Sequence, residues 1–137
     1  MSLHEQFSGI MTEIQYLVAQ AQYDIADALE QYISISADRR VYSYEASDEA
    51  MEKRRYQLGS RDNLDTTVYD SFVEIQNRTK LREEPNTLET PWIEEGIDQG
   101  NAGPRPFMDE AMQDFMADLT GEKILAVTLR DAGFTVI

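Results

Sequence analysis

The chain has 137 residues, a hydrophobic content of 42% and a net charge of −14. This length suits one compact domain with a single core rather than two independent domains. The absence of cysteine excludes disulfides, thiolate metal sites and a cysteine nucleophile. No apolar run approaches the length of a membrane span, and Met1–Glu5 lacks the basic and apolar regions of a signal peptide. We therefore expect no membrane association and no leader.

The charges are distributed unevenly along the chain. Residues 1–37 contain five acids and no base, and eight of the twelve bases lie between Arg39 and Lys80. Residues 81–137 carry twelve acids against four bases. Such a distribution is expected of a subunit that meets different neighbours on different faces. The alternative is that the charges simply cover solvated helix faces.

The first segment, residues 1–36, has the period of a long amphipathic helix. Its apolar positions alternate in steps of four and three, through Phe7, Met11, Ile14, Val18, Ala21, Ile25, Ala28 and Tyr32. We predict a helix from about Leu3 to Ser34, which at 1.5 Å per residue would be about 45 Å long. Because a small domain does not need such a length, part of the helix lies either against another subunit or along the core of a monomer.

Residues 37–80 are predicted to form an extended arm and a β-hairpin. Within the arm, residues 41–44 alternate like a short strand, and Ser47 is a candidate N-cap for a short segment over 48–56. Residues 64–69 and 71–76 are predicted strands, with Asp70-Ser71 as the turn and Asn77-Arg78-Thr79 as the end. A hairpin alone is marginally stable, so it must pack on the long helix or pair with another chain.

Residues 81–137 are predicted to form a loop, helices and a terminal strand. Pro85 and the stretch 100–104 mark loops, and residues 91–96 look like one helical turn. The next helix is predicted from near Pro106 to about Leu119, where Asp109 and Glu110 would favour the dipole of the first turn.

Thr120 is predicted to cap a final helix over 121–132, which Gly133 ends. The apolar residues 134–137 would make a poor free tail, so we expect them to pair with a sheet edge. The predicted fold is therefore α+β in a single domain, residues 1–137. It has a long N-terminal helix packed on a small antiparallel sheet, with C-terminal helices and a terminal strand.

The search for catalytic patterns gives a negative result. His4 is the only histidine, and no glycine-rich loop is followed by the Lys-Ser or Lys-Thr of a phosphate site. Adjacent carboxylates such as Glu94-Glu95 point about 100° apart on a helix, so they do not form a dyad by themselves. A magnesium nuclease would need converging carboxylates beside a basic groove, which the net charge disfavours. We predict no enzymatic activity, no cofactor and no metal site.

Basic and aromatic residues of the middle segment are the candidates for an interface. The bases could contact nucleic acid, or pair with acidic surfaces of the same or neighbouring subunits, and we prefer pairing in so acidic a chain. Tyrosines are enriched at interfaces because they are amphipathic, although an ordinary core also uses them. The candidate residues in this segment are Arg39, Arg40, Tyr42, Tyr44, Lys53, Arg54 and Arg55.

The order of several motifs resembles a known family. A long helix comes first, then the stretch from Tyr42 to Arg55 leading to Gly59, and then a strand ending in residues 75–79. A short segment ending at Gly96 precedes Arg105-Pro106-Phe107, which begins an acidic-flanked helix, and the chain closes with residues 129–136. This order is similar to that of neck, or tail-completion, proteins of HK-type siphophages, over most of the chain from residue 40 onward. It adds Arg105 and Phe107 to the candidate interface.

This resemblance implies a structural virion protein, made in the bacterial cytoplasm, that forms a homo-oligomeric and commonly sixfold ring. Such a ring joins the head-closure protein to the tail tube and lets DNA pass without sequence-specific binding. The tail terminator of the adjacent ring is an alternative, as is an acidic regulatory protein that mimics DNA. Within the motif, Pro104 and Pro106 hold the backbone extended, and Phe107 is expected to anchor the next helix in the core.

Overall fold

A computed structural model describes residues 2–40, 60–79 and 106–137. Its elements are α1 (Leu3–Arg40), a 3-10 turn (Arg61–Asn63), β1 (Leu64–Val68), β2 (Val73–Asn77), α2 (Phe107–Ala117) and α3 (Thr120–Asp131). The α+β prediction is confirmed, with a long N-terminal helix, a two-stranded antiparallel sheet and C-terminal helices. The predictions for 41–44, 48–56, the loops at 80–90 and 100–104, and the turn at 91–96 lie outside the described residues.

Helix α1 ends at Arg40, later than the sequence pattern indicated, so residues 37–40 belong to the helix and not to an arm. The apolar period weakens after Ile35, but Ser36 and Ala37 are both buried. The Ser36 hydroxyl donates a hydrogen bond of 2.6 Å to the backbone carbonyl of Phe107. Tertiary packing of this last stretch therefore extends the helix beyond the point that its sequence pattern predicts.

The core lies where the second half of α1 meets the hairpin and α2. Its apolar members are Leu29, Ile33, Ala37, Leu64, Phe107, Ala111 and Phe115. On α2 these residues recur every four positions, so one stripe of the helix faces α1. Full burial of a large apolar side chain contributes about 1.5–3 kcal/mol, which makes this contact the main source of stability for the described fold.

The hairpin pairs Leu64 with Asn77 and Val68 with Val73 in an antiparallel register. The backbone N–H of Tyr69 donates to the carbonyl of Phe72 at 2.9 Å, so Asp70 and Ser71 occupy the turn, as predicted. Inward residues alternate with exposed ones along both strands. Since one face of the sheet packs on α1, the hairpin has the support that an isolated hairpin lacks.

Helix α3 begins one residue earlier than predicted, because Thr120 is its first residue and not its cap. The residue before it, Leu119, takes the left-handed conformation with φ 55° and ψ 33°. This residue and Asp118 form the short connection between α2 and α3. It is an unusual choice, because the Cβ of leucine is disfavoured in that conformation and glycine or asparagine is normally preferred.

The predicted terminal strand is not formed, and residues 134–137 have no regular structure. Gly133, at φ 98°, ends α3 as predicted, and its N–H donates to the carbonyl of Arg130 at 2.9 Å. The N–H of Phe134 donates to the carbonyl of Leu129 at 3.0 Å. These two bonds form a Schellman cap. The backbone of Phe134 is thus committed to the helix end, where it cannot begin a strand paired with the sheet.

Candidate interaction surface

A charged clamp fixes the hairpin to α1. The Arg61 guanidinium donates to Asp27 and, at 2.6 Å and 3.1 Å, to one carboxylate oxygen of Glu30. The other Glu30 oxygen accepts a 2.8 Å hydrogen bond from the Thr66 hydroxyl in β1. The hydrogen bonds that Arg61 donates to Asp27 and Glu30 raise the pKa of its guanidinium. Both acids therefore serve to position the hairpin.

The sequence analysis did not single out this clamp. Asp27 and Glu30 are three residues apart, so they share one face of the helix. Arg61 lies in the turn that leads into β1. An arginine in a turn and two acids at helical spacing predict an ion pair once the hairpin is known to pack on the helix. That packing cannot be read from the local pattern.

A second polar cluster joins α1 to the α2–α3 corner. The Tyr32 hydroxyl donates to the Asp118 carboxylate at 2.6 Å and lies 2.8 Å from the Thr120 hydroxyl. The Tyr32 ring also packs edge-to-face on Phe115, with centroids 5.4 Å apart. The hydrogen bond to Asp118 raises the pKa of the Tyr32 phenol. Asp118 and Thr120 flank Leu119 in the sequence, so their contacts with Tyr32 hold this left-handed residue in place.

Few of the predicted interface residues fall in the described part of the chain. Arg39 is exposed in the last turn of α1, where a positive charge is favourable for the helix dipole, and Arg40 is the last residue of the helix. The side chain of Arg40 lies outside the described residues, as do all atoms of Tyr42, Tyr44, Lys53, Arg54, Arg55 and Arg105.

Phe107 is fully buried, so it anchors α2 in the core as expected. Its burial within a single chain is accounted for by the core, and its role at an interface stays a prediction.

The first half of α1 exposes its apolar stripe. Leu3, Phe7, Ile10 and Met11, here called the N-terminal face of α1, are each at least 40% exposed, and Phe7 reaches 61%. Burial begins only at Ala21, which is 1% exposed. The predicted apolar stripe is therefore continuous in sequence, but its two halves have different surroundings. Its second half forms the core, and its first half faces solvent in a single chain.

A second exposed apolar surface lies on α2 and the corner after it. Met112 and Met116, which lie beside the buried stripe of α2, and Leu119, which follows that helix, are exposed and are here called the Met112 ridge. Met116 is 64% exposed and Leu119 is 54% exposed. Methionine side chains are flexible and adapt to a partner surface. The ridge therefore has the composition of a contact surface, and it includes the residue with the disfavoured backbone.

The hairpin tip carries a third apolar feature. The rings of Tyr69 and Phe72 stack on each other with centroids 4.3 Å apart and an interplanar angle of 18°. Both side chains are exposed, but each ring covers one face of the other. Each ring therefore buries part of the apolar surface of the other, so the local structure of the hairpin explains the pair without a partner.

In the described ranges 2–40, 60–79 and 106–137, no three histidine, cysteine or acidic side chains are placed so that they could hold a metal ion. Over the same ranges, no helix combines the length and the apolar character needed to cross a bilayer. Comparison with known proteins finds no matching family model and no significantly similar curated protein or solved structure.

Proposed function

We propose that the chain is a structural subunit of the head–tail connector of a tailed bacteriophage, a neck or tail-completion protein. In this role it is made in the bacterial cytoplasm and becomes part of the virion. It forms a ring that joins the head-closure protein to the tail tube. Its function is geometric: it provides matched contact faces and a channel, and it needs no catalytic group, cofactor or metal.

The observation that carries this proposal is the divided α1 helix. A helix of 38 residues is about 57 Å long, but its core residues are confined to the second half. Isolated short helices are marginal in water, and packing of an apolar face normally stabilises them. A protein that works as a monomer has no use for a projecting helix with Phe7 and Met11 in solvent. A subunit that assembles with others has such a use.

The charge of the chain supports the passage of DNA without binding. A net charge of −14 per subunit is multiplied in a ring, and a negative channel wall repels the phosphate backbone. Lys53, Arg54, Arg55, Arg39 and Arg40 then serve as partners for acids of neighbouring subunits. Reversal of these bases should weaken ring assembly, and unchanged assembly would contradict their role.

The size and shape of the purified full chain test the proposal. Light scattering after size exclusion should give a mass several times 15.7 kDa, and negative-stain images should show a closed ring with a central opening. Antibody labelling of virions should place the protein at the neck. Labelling at the end of the tail tube would favour the tail terminator instead. A stable monomer that binds a DNA-binding protein would overturn the proposal in favour of an acidic DNA mimic.

A further inference from the structure

We propose that the fold depends on salt, so that this chain reaches its full stability, and works, only in a medium of high ionic strength. The inference goes beyond the proposed function, because it concerns the single folded chain and does not need a ring. It starts from the net charge of −14. A net charge of magnitude about 2–8 is enough to keep a small domain soluble. The excess destabilises the compact state, since like charges held on one small fold repel each other.

The excess acids are spread over most of the described elements. Acids outnumber bases by six to two on α1, and α2 carries three acids and no base. Residues 64–77, which form β1, β2 and the turn between them, contain three acids and no base, whereas α3 carries two of each. A DNA channel requires negative charge on one face of a subunit, so a channel accounts for only some of these acids.

Many of these acids lie in solvent, where dissolved ions can screen them. Exposed acids on three different parts of the fold include Glu13, Asp24, Asp38, Asp70, Glu74 and Asp131. The Debye length is about 30 Å at 0.01 M salt and about 3 Å at 1 M salt. At the lower salt concentration, acids on different elements of one small domain therefore repel each other, and at the higher one they are largely screened.

Ion pairs have the opposite salt dependence, because screening weakens the attraction within each pair. Arg61 is paired with Asp27 and Glu30, and Arg78 lies 3.7 Å from Asp65. In a chain with 26 acids and 12 bases, however, one-to-one pairing of every base would still leave 14 acids over. Exposed pairs also contribute little each. We therefore infer that net repulsion outweighs the pairs, and that salt raises the stability of the chain.

Urea denaturation of the full chain at several NaCl concentrations tests the proposal. Between about 0.01 M and about 1 M NaCl, the urea midpoint of dilute protein at neutral pH should rise by about 1 M or more. A chain that is unfolded at the lowest salt concentration and folds when NaCl is added would be the strongest form of this result. A midpoint that stays constant or falls as NaCl rises would overturn the proposal.

Two matched substitutions on α1 identify the charge that salt screens. Asp24 and Asp27 are both exposed and three residues apart, but Asp27 is paired with Arg61. Asp24→Asn should raise the urea midpoint at about 0.01 M NaCl, and the gain should fade towards about 1 M NaCl. Asp27→Asn removes the same charge but also a bond to Arg61, so its gain should be smaller. No gain from Asp24→Asn at low salt would overturn the proposal.

A triple variant gives the expected size of the effect. Asp24→Asn, Asp38→Asn and Asp131→Asn together reduce the net charge of −14 by three. Because the repulsive energy scales with the square of the net charge, the rise of the midpoint with NaCl should be smaller than that of the parent chain by about a third. A rise as large as that of the parent would mean that salt acts by another route, and the proposal would be wrong.

Sodium sulfate separates screening from the exclusion of salt from the protein surface. Screening depends on ionic strength, so sulfate and chloride should raise the midpoint equally when they are compared at the same ionic strength, up to about 0.3 M. Sulfate is also excluded from protein surfaces, which stabilises folded proteins whatever their charge. A rise with sulfate but not with chloride would overturn the role of charge.

Discussion

Phe107→Ala should be among the most damaging substitutions in the described fold. The Phe107 ring is fully buried, in contact with the cluster that joins α1, β1 and α2. Truncation of a buried phenylalanine to alanine costs about 3–5 kcal/mol, from lost burial and the cavity that remains. Domains of this kind have a total stability of about 5–15 kcal/mol, so the loss is a large fraction of it.

Urea denaturation followed by far-ultraviolet circular dichroism measures this loss. With a slope of about 2 kcal/mol per molar urea, a loss of about 4 kcal/mol lowers the midpoint by about 2 M. Met116→Ala is the matched control, because Met116 lies on the same helix but is mostly exposed. The free energy of unfolding of this control should change by no more than about 0.5 kcal/mol.

The comparison refutes the packing argument if the two variants lose similar stability. A small effect of Phe107→Ala with a normal slope would mean that the α1–α2 contact does not hold the fold together. The experiment is best done with Phe7→Glu as the background, because this change disrupts the exposed N-terminal face of α1 that we propose to carry association. A loss of association then cannot contribute to the measured stability.

Three further outcomes follow from named contacts. Arg61→Ala should speed hydrogen exchange of the β1 and β2 amides while the core amides of α1 stay protected, because the clamp to Asp27 and Glu30 is lost; equal acceleration in both elements would contradict it. Tyr32→Phe should cost about 1 kcal/mol near neutral pH. Because the folded pKa of Tyr32 is raised, its contribution is fully present below the unfolded pKa of about 10 and is lost as the pH rises through the folded pKa, so the parent chain should lose stability above about pH 10 and the phenylalanine variant should not show this loss. Gly133→Ala should cost about 1 kcal/mol in urea denaturation because of its positive φ, whereas Ala132→Gly should not reproduce that backbone strain.

Elements that are determined by residues close together in the sequence could be predicted from it. The apolar period predicted α1, the Asp70-Ser71 turn was predicted from the two strand patterns, and Gly133 marked the end of α3. Where long-range contacts compete with the local pattern, the prediction was wrong. Ser36 and Ala37 continue the helix because Phe107 packs there, and Phe134 is held by a helix cap instead of a sheet edge.

The contact surfaces could be predicted only in part. The stripe through Phe7 and Met11 was visible, but which half of it the fold covers depends on where α2 docks. The clamp of Arg61 was missed because its partners are more than thirty residues away in the sequence. The left-handed conformation of Leu119 has no local sequence signal, since leucine is a common helix residue and nothing in Asp118-Leu119-Thr120 marks a corner that would favour glycine.

Deletion of residues 2–13 separates the two halves of α1 most directly. All twelve of these residues are exposed, whereas the buried residues on α1 begin at Ala21. Truncation should therefore leave the urea midpoint of the monomer unchanged and abolish association, because the chain loses the exposed apolar face that we propose to carry assembly. A midpoint lowered as far as that of Phe107→Ala would show that the first half of α1 supports the fold of its own chain, and the projecting helix would lose its role in assembly.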